Sequence, residues 1–121
     1  MSRIIFYEDS RGNKPVLEFI NRLKRSKGKD SKIRLNKLLL YIKILLNVGT
    51  RAGEEYIKHL EGDIWELRPL RDRIFFAGIK GGKFVLLHHY FKKTQKTPRR
   101  EIEKAKREWE DFKERSGIVW A

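Results

Sequence analysis

The chain has 121 residues, 40% of them hydrophobic and 37% charged, a balance that supports one modest globular core and excludes a disordered or collagen-like chain. Twenty-nine Lys and Arg against sixteen Asp and Glu leave a net charge of +13, which predicts a polyanionic partner, either nucleic acid or an acidic protein. The absence of cysteine excludes disulfides, thiolate zinc sites and a cysteine nucleophile.

The opening residues, MSRIIFYED, carry no long apolar core behind a basic start, so no signal peptide is expected. No run of about 18 apolar residues follows, so no membrane span is expected either and the protein reads as cytoplasmic. Residues 1–121 are expected to form one domain, without repeats or linkers. Arg3 to Glu8 is a β-rich run. Pro15 suits a first helical turn, and Val16, Phe19, Ile20 and Leu23 recur at helical spacing, predicting a helix over residues 15–25. Asp30 or Ser31 is the expected cap of a second helix over roughly 31–47, which Gly49 ends. Its apolar stripe is wider than one sheet face requires. The helix is therefore expected either as a central element between the sheet and the first helix, or as a surface that receives a partner. Residues 50–55 read as loop and Tyr56 to Leu60 as an edge strand.

Ile64 to Pro98 reads as a β-meander of three antiparallel strands, with turns at Pro69 to Asp72 and at Gly81-Gly82. A two-residue loop at Gly81-Gly82 pairs Lys80 with Lys83, Phe75 with His88 and Arg73 with Tyr90. A four-residue loop at Pro69 to Asp72 pairs Arg68 with Arg73 and Glu66 with Phe75. Alternation then puts Glu66, Arg68, Arg73, Phe75, His88 and Tyr90 on one face, and Trp65, Leu67, Ile74, Phe76, Val85, Leu87, His89 and Phe91 on a core face. Facing arginines repel, so the first face makes sense as an anion site. Beyond it, Thr97 is the expected cap of a third helix running to about Ser116, with Ile102, Ala105, Trp109 and Phe112 inward and Gly117 as its stop. Ile118 to Ala121 is a short apolar tail of open role.

The Glu66-Leu67-Arg68 run, the Phe91 to Pro98 run FKKTQKTP and the helix that follows resemble the phage-related HigB branch of the RelE/ParE toxin superfamily, best over Leu60 to Trp109. The resemblance implies an α+β fold: an antiparallel, mixed-edge sheet of about four to five strands, two N-terminal helices on one side and a C-terminal helix. It implies the toxin of a type II toxin–antitoxin pair, a ribosome-dependent mRNA endonuclease that uses the RNA 2′-hydroxyl and needs no metal or other cofactor. The implied partners are the ribosome with its mRNA and a helix-turn-helix, HigA-like antitoxin encoded next door, with operator DNA reached through that antitoxin. Alternatives are a non-enzymatic gyrase inhibitor like ParE and a non-toxic basic nucleic-acid-binding module. Supercoiling and expression assays separate them.

Metal-free RNA cleavage needs a phosphorane stabilised and two protons moved. Arg68 and Arg73 are the candidate phosphate clamp, because a guanidinium fork binds two phosphate oxygens and keeps its charge. Glu66, His88 and Tyr90 are the candidate proton carriers, Tyr90 also being a stacking platform. The toxins resembled often keep a Tyr or His near the C-terminus, which this chain replaces with a helix and tail, so acid and base stay open among these residues. Lys92, Lys96, Thr94 and Gln95 are candidate RNA contacts. Lys93 joins the catalytic set because the resembled family uses basic residues in this region. His59 and His89 read as packing residues, no metal-ligand spacing is present, and Gly78, Gly81 and Gly82 lack the strand-to-helix order of a phosphate loop.

Overall fold

A computed structural model describes residues 3–117, and Ile118 to Ala121 lie outside the described residues. Five strands form one sheet in the order β1-β5-β4-β3-β2, comprising β1 (Ile4–Phe6), β2 (Ile57–Glu61), β3 (Ile64–Leu67), β4 (Asp72–Ile79) and β5 (Lys83–Phe91). β2 to β5 are antiparallel neighbours, whereas β1 runs parallel to β5 with Ile5 beside Val85. Helices α1 (Pro15–Arg25) and α2 (Lys29–Val48) cover one face and α3 (Arg99–Ser116) crosses the other, the α+β, RelE-like architecture expected. A single 3-10 turn, Gly49–Ala52, replaces the start of the segment read as loop.

Each face has its own core. Val16, Phe19, Ile20 and Leu23 of α1 and Leu38, Ile42 and Leu45 of α2 pack on Leu67, Ile74, Phe76, Phe84 and Leu86. Opposite them, Ala105 and Trp109 of α3 close over Ile64, Phe75, Ala77, Val85 and Leu87. Burying Phe75 and Phe76 completely stabilises the fold by about 1.5–3 kcal/mol each.

α1 starts at Pro15, where a missing N–H is harmless. α2 corrects the sequence in two respects. It begins at Lys29 behind Gly28 with no side-chain cap, so Asp30 sits inside the first turn, where its charge suits the helix dipole, and Ser31 turns aside to Ser26. Nor is α2 sandwiched, because α1 itself lies on β5 and β1, which leaves Ile33, Leu39 and Leu40 of α2 exposed. The surplus apolar surface therefore points outward.

The meander pairs as expected around its polar residues, with Glu66 opposite Phe75, Phe75 opposite His88 and Arg73 opposite Tyr90. It departs at the hairpin end, where Ile79 rather than Lys80 faces Lys83 across a three-residue loop. A bulge at Leu87 restores the register, since Phe76 pairs with Leu86 while Phe75 pairs with His88. The consequence is a change of face: Val85 and Leu87, expected on the core face with Ile74 and Phe76, lie under α3 with Phe75 and Ala77. Thr97 is not the cap of α3 either; Pro98 holds that place without a side-chain bond.

Candidate active site

β3 and β4 present alternate residues to the α3 side of the sheet, and α3 covers only part of that side. Beyond its N-terminal end a cleft of about 250 Å³ opens, lined by Lys58, His59, Leu60, Glu66, Arg68, Arg73, Tyr90, Lys92, Gln95, Lys96, Thr97 and Ile102. Five of these are Lys or Arg and one is a carboxylate. Glu66, Arg68, Arg73, Tyr90, Lys92, Gln95 and Lys96 thus meet as the sequence suggested. Lys93 and Thr94 line an adjoining cleft that shares Arg73, Lys92 and Gln95 with the first.

Glu66 forms the floor. It is almost fully buried, accepts a 2.8 Å hydrogen bond from Thr97 Oγ1, and faces Arg68 Nε across 3.5 Å. That last contact has ion-pair distance without hydrogen-bond alignment, so the buried Arg68 Nε–H has no acceptor among the described residues. Arg68 Nη1 donates to the Glu54 carbonyl at 2.8 Å, which holds the guanidinium at the cleft wall.

Arg73 is 6% exposed, and its Nη1 donates to the carbonyls of Leu70 at 2.8 Å and Asp72 at 3.0 Å. No carboxylate lies within ion-pair distance of it among the described residues. Burial draws its pKa down from the usual arginine value, Glu66 opposes the shift and the neighbouring Arg68 charge adds to it. An arginine still keeps its proton at neutral pH, so the cleft holds a partly desolvated cation that hydrogen-bonds neutral carbonyls, with Glu66 acting on it only from beyond ion-pair distance. Tyr90 stands opposite Arg73 on β5, half-buried.

His88 is the correction. It is buried at 1% exposure beneath α3, with Nδ1 2.6 Å from Glu108 Oε1 and Nε2 2.9 Å from Glu101 Oε1, its ring tilted on Phe75. It does not line the cleft, and both nitrogens are engaged, so it ties α3 to β5. His89 packs as expected, stacked on Phe19 at 3.6 Å and bonded to Asp72 Oδ1 at 2.8 Å.

Sequence reading missed Lys58, His59 and Arg71. Lys58 stands opposite Glu66 across β2 and β3, a cross-strand pair of opposite charge that the Gly62-Asp63 turn makes legible. His59 leans on Trp65 and donates from Nε2 to the Gly62 carbonyl at 2.7 Å, so in the neutral ring Nδ1 is the acceptor. Arg71 lines the adjoining cleft. Among the described residues no group of three or more His, Asp or Glu is placed to hold a metal ion, and no helix is long and apolar enough to cross a membrane.

The family model for phage-derived Gp49-like proteins (DUF891) matches residues 27–110, more than two thirds of the chain and all of both clefts. A comparison with curated proteins returned no match. With its basic cleft set on an α+β sheet of RelE-like form, the chain belongs to the Gp49-like family, a RelE-like family of toxins from toxin–antitoxin systems.

Proposed function

We propose that the 121 residues form a single toxin domain of the HigB kind, acting in the cytoplasm as a ribosome-dependent mRNA endonuclease. The observation that carries this reading is the convergence of Lys58, Arg68, Arg73, Lys92 and Lys96 with Glu66 and Tyr90 on one cleft. The scissile phosphate sits between Arg68 and Arg73, whose guanidinium groups line the cleft and take its oxygens. Glu66, the carboxylate of that cleft, removes the 2′-hydroxyl proton, and the oxygen attacks the adjacent phosphorus. The two guanidinium groups stabilise the dianionic phosphorane, and Tyr90 returns a proton to the departing 5′-oxygen. Products are a 2′,3′-cyclic phosphate and a 5′-hydroxyl. Lys92, Lys93, Lys96, Thr94 and Gln95 hold the flanking strand. The partner is a HigA-like antitoxin, through which the pair reaches operator DNA; its apolar surface is met by Ile33, Leu39 and Leu40 on α2.

The test is purified protein with mRNA-programmed ribosomes. The message should be cut in the ribosomal A site, a 2′-deoxy substitution at the cut nucleotide should block the reaction, and purified gyrase should keep supercoiling. Intact message in cells that the protein has arrested would overturn the proposal, and gyrase inhibition would replace it with a ParE-like one.

A further inference from the structure

The turn between β3 and β4 contains an expensive residue. Leu70 has φ +57°, the left-handed region that leucine rarely occupies and that Gly or Asn fills more readily. Its side chain gains no burial in return, being 46% exposed at the lip of the adjoining cleft. That backbone turn aims the Leu70 carbonyl at Arg73 Nη1, while Lys92 N donates to the Arg71 carbonyl at 2.7 Å and Arg71 Nη2 returns a bond to the Lys92 carbonyl at 2.9 Å. The turn and the exit of β5 are thus pinned as two walls, with about 590 Å³ between them. Phosphate groups gain nothing from an exposed leucine. The flat apolar face of a nucleobase does.

We propose that this second cleft is a nucleobase subsite for single-stranded RNA, in which Leu70 packs against the base and the Gln95 amide, carrying both donor and acceptor, meets its edge. Arg73 and Lys92, common to both clefts, hold the phosphate that joins this nucleotide to the one in the first cleft. The two cavities are then successive positions on one strand. This deepens the nuclease reading above and rests on it.

The experiment uses short single-stranded RNA with 2′-O-methyl riboses, which cannot be cut, and a set in which one base at a time is removed. Binding is measured at one fixed salt concentration, because phosphate contacts depend on salt. Wild type should lose roughly tenfold in affinity when the abasic position falls in the subsite. Leu70→Gly and Leu70→Asn should melt no lower than wild type, bind the abasic RNA as wild type does, and no longer distinguish it from intact RNA. Equal binding of intact and abasic RNA by wild type, or full discrimination by both variants, overturns the subsite while leaving the nuclease reading standing. Failure of wild type to bind any of these RNAs also overturns the subsite, while the nuclease reading stands or falls on cleavage of message in programmed ribosomes.

Discussion

The two sides of β4 handle buried charge in opposite ways. Asp72, on the α1–α2 side, is 1% exposed and fully answered: Arg34 donates from Nε at 3.0 Å and Nη2 at 2.7 Å, and His89 lies 2.8 Å away. Its chain neighbour Arg73, on the other side, is nearly as buried yet finds only carbonyl oxygens. His88 under α3 resembles Asp72, with a carboxylate at each ring nitrogen. A buried charge paired directly with its counter-charge, as Asp72 is with Arg34, holds the fold, whereas Arg73, which hydrogen-bonds only neutral dipoles, keeps part of its attraction for an anion that arrives later.

The largest effect that would break this contrast concerns Arg73. Arg73→Ala should lower ribosomal mRNA cleavage by about 10³-fold and end growth arrest, while thermal melting stays close to wild type. A folded variant that still kills would remove Arg73 from the site. Asp72→Ala should do the reverse, lowering stability by about 3 kcal/mol in urea titrations because Arg34 and His89 lose their partner, with cleavage per folded molecule nearly unchanged. His88→Ala should cost about 2 kcal/mol, since two glutamate side chains in the α3 seam lose their hydrogen-bond partner. Activity lost in that variant beyond the unfolded fraction would return His88 to the reaction.

A pH series sharpens the same contrast. Burial alone would raise the Asp72 pKa, but hydrogen bonds from His89 and Arg34 outweigh it and hold the carboxyl below the usual range. A folded pKa lower than the unfolded one means that its stabilisation is complete above about pH 4 and fades as pH falls through the folded value. Melting curves of wild type and Asp72→Asn should therefore converge in acid and separate above about pH 4; a gap that widens in acid contradicts the assignment. The smallest effect belongs to the exposed lysine. Lys96→Ala should weaken RNA binding a few-fold and reduce the slope of log affinity against log salt by about one.

Much of this was legible in the chain because alternation is strict near the site. Glu66, Arg68 and Arg73 fall together once the Pro69 to Asp72 turn sets their register, and Tyr90 joins them because the bulge at Leu87 offsets the longer hairpin loop. The hairpin beyond was misread by one residue, since Gly81-Gly82 looks like a complete loop and a bulge at Leu87 has no local signature. His88 was misassigned for a different reason: face alternation says which side of a sheet a residue occupies, and only tertiary packing says whether a helix lies on top. Thr97 shows the same limit, its hydroxyl drawn from the cap of α3 by the buried Glu66 carboxylate. Lys58 went unnoticed, and His59 read as a packing residue, because β2 was read as an edge strand alone, without its pairing to β3.

The parallel join of β1 to β5 has a consequence for biosynthesis. The strand made first must wait for residues 84–86 before it has a neighbour, and the cleft needs Lys92 and Lys96, which come later still. Pairings between such distant parts of a chain form late and slowly. A nascent copy therefore has no assembled cleft until those residues have been made and paired, and if the protein is a nuclease, this delay shields the transcript during that interval.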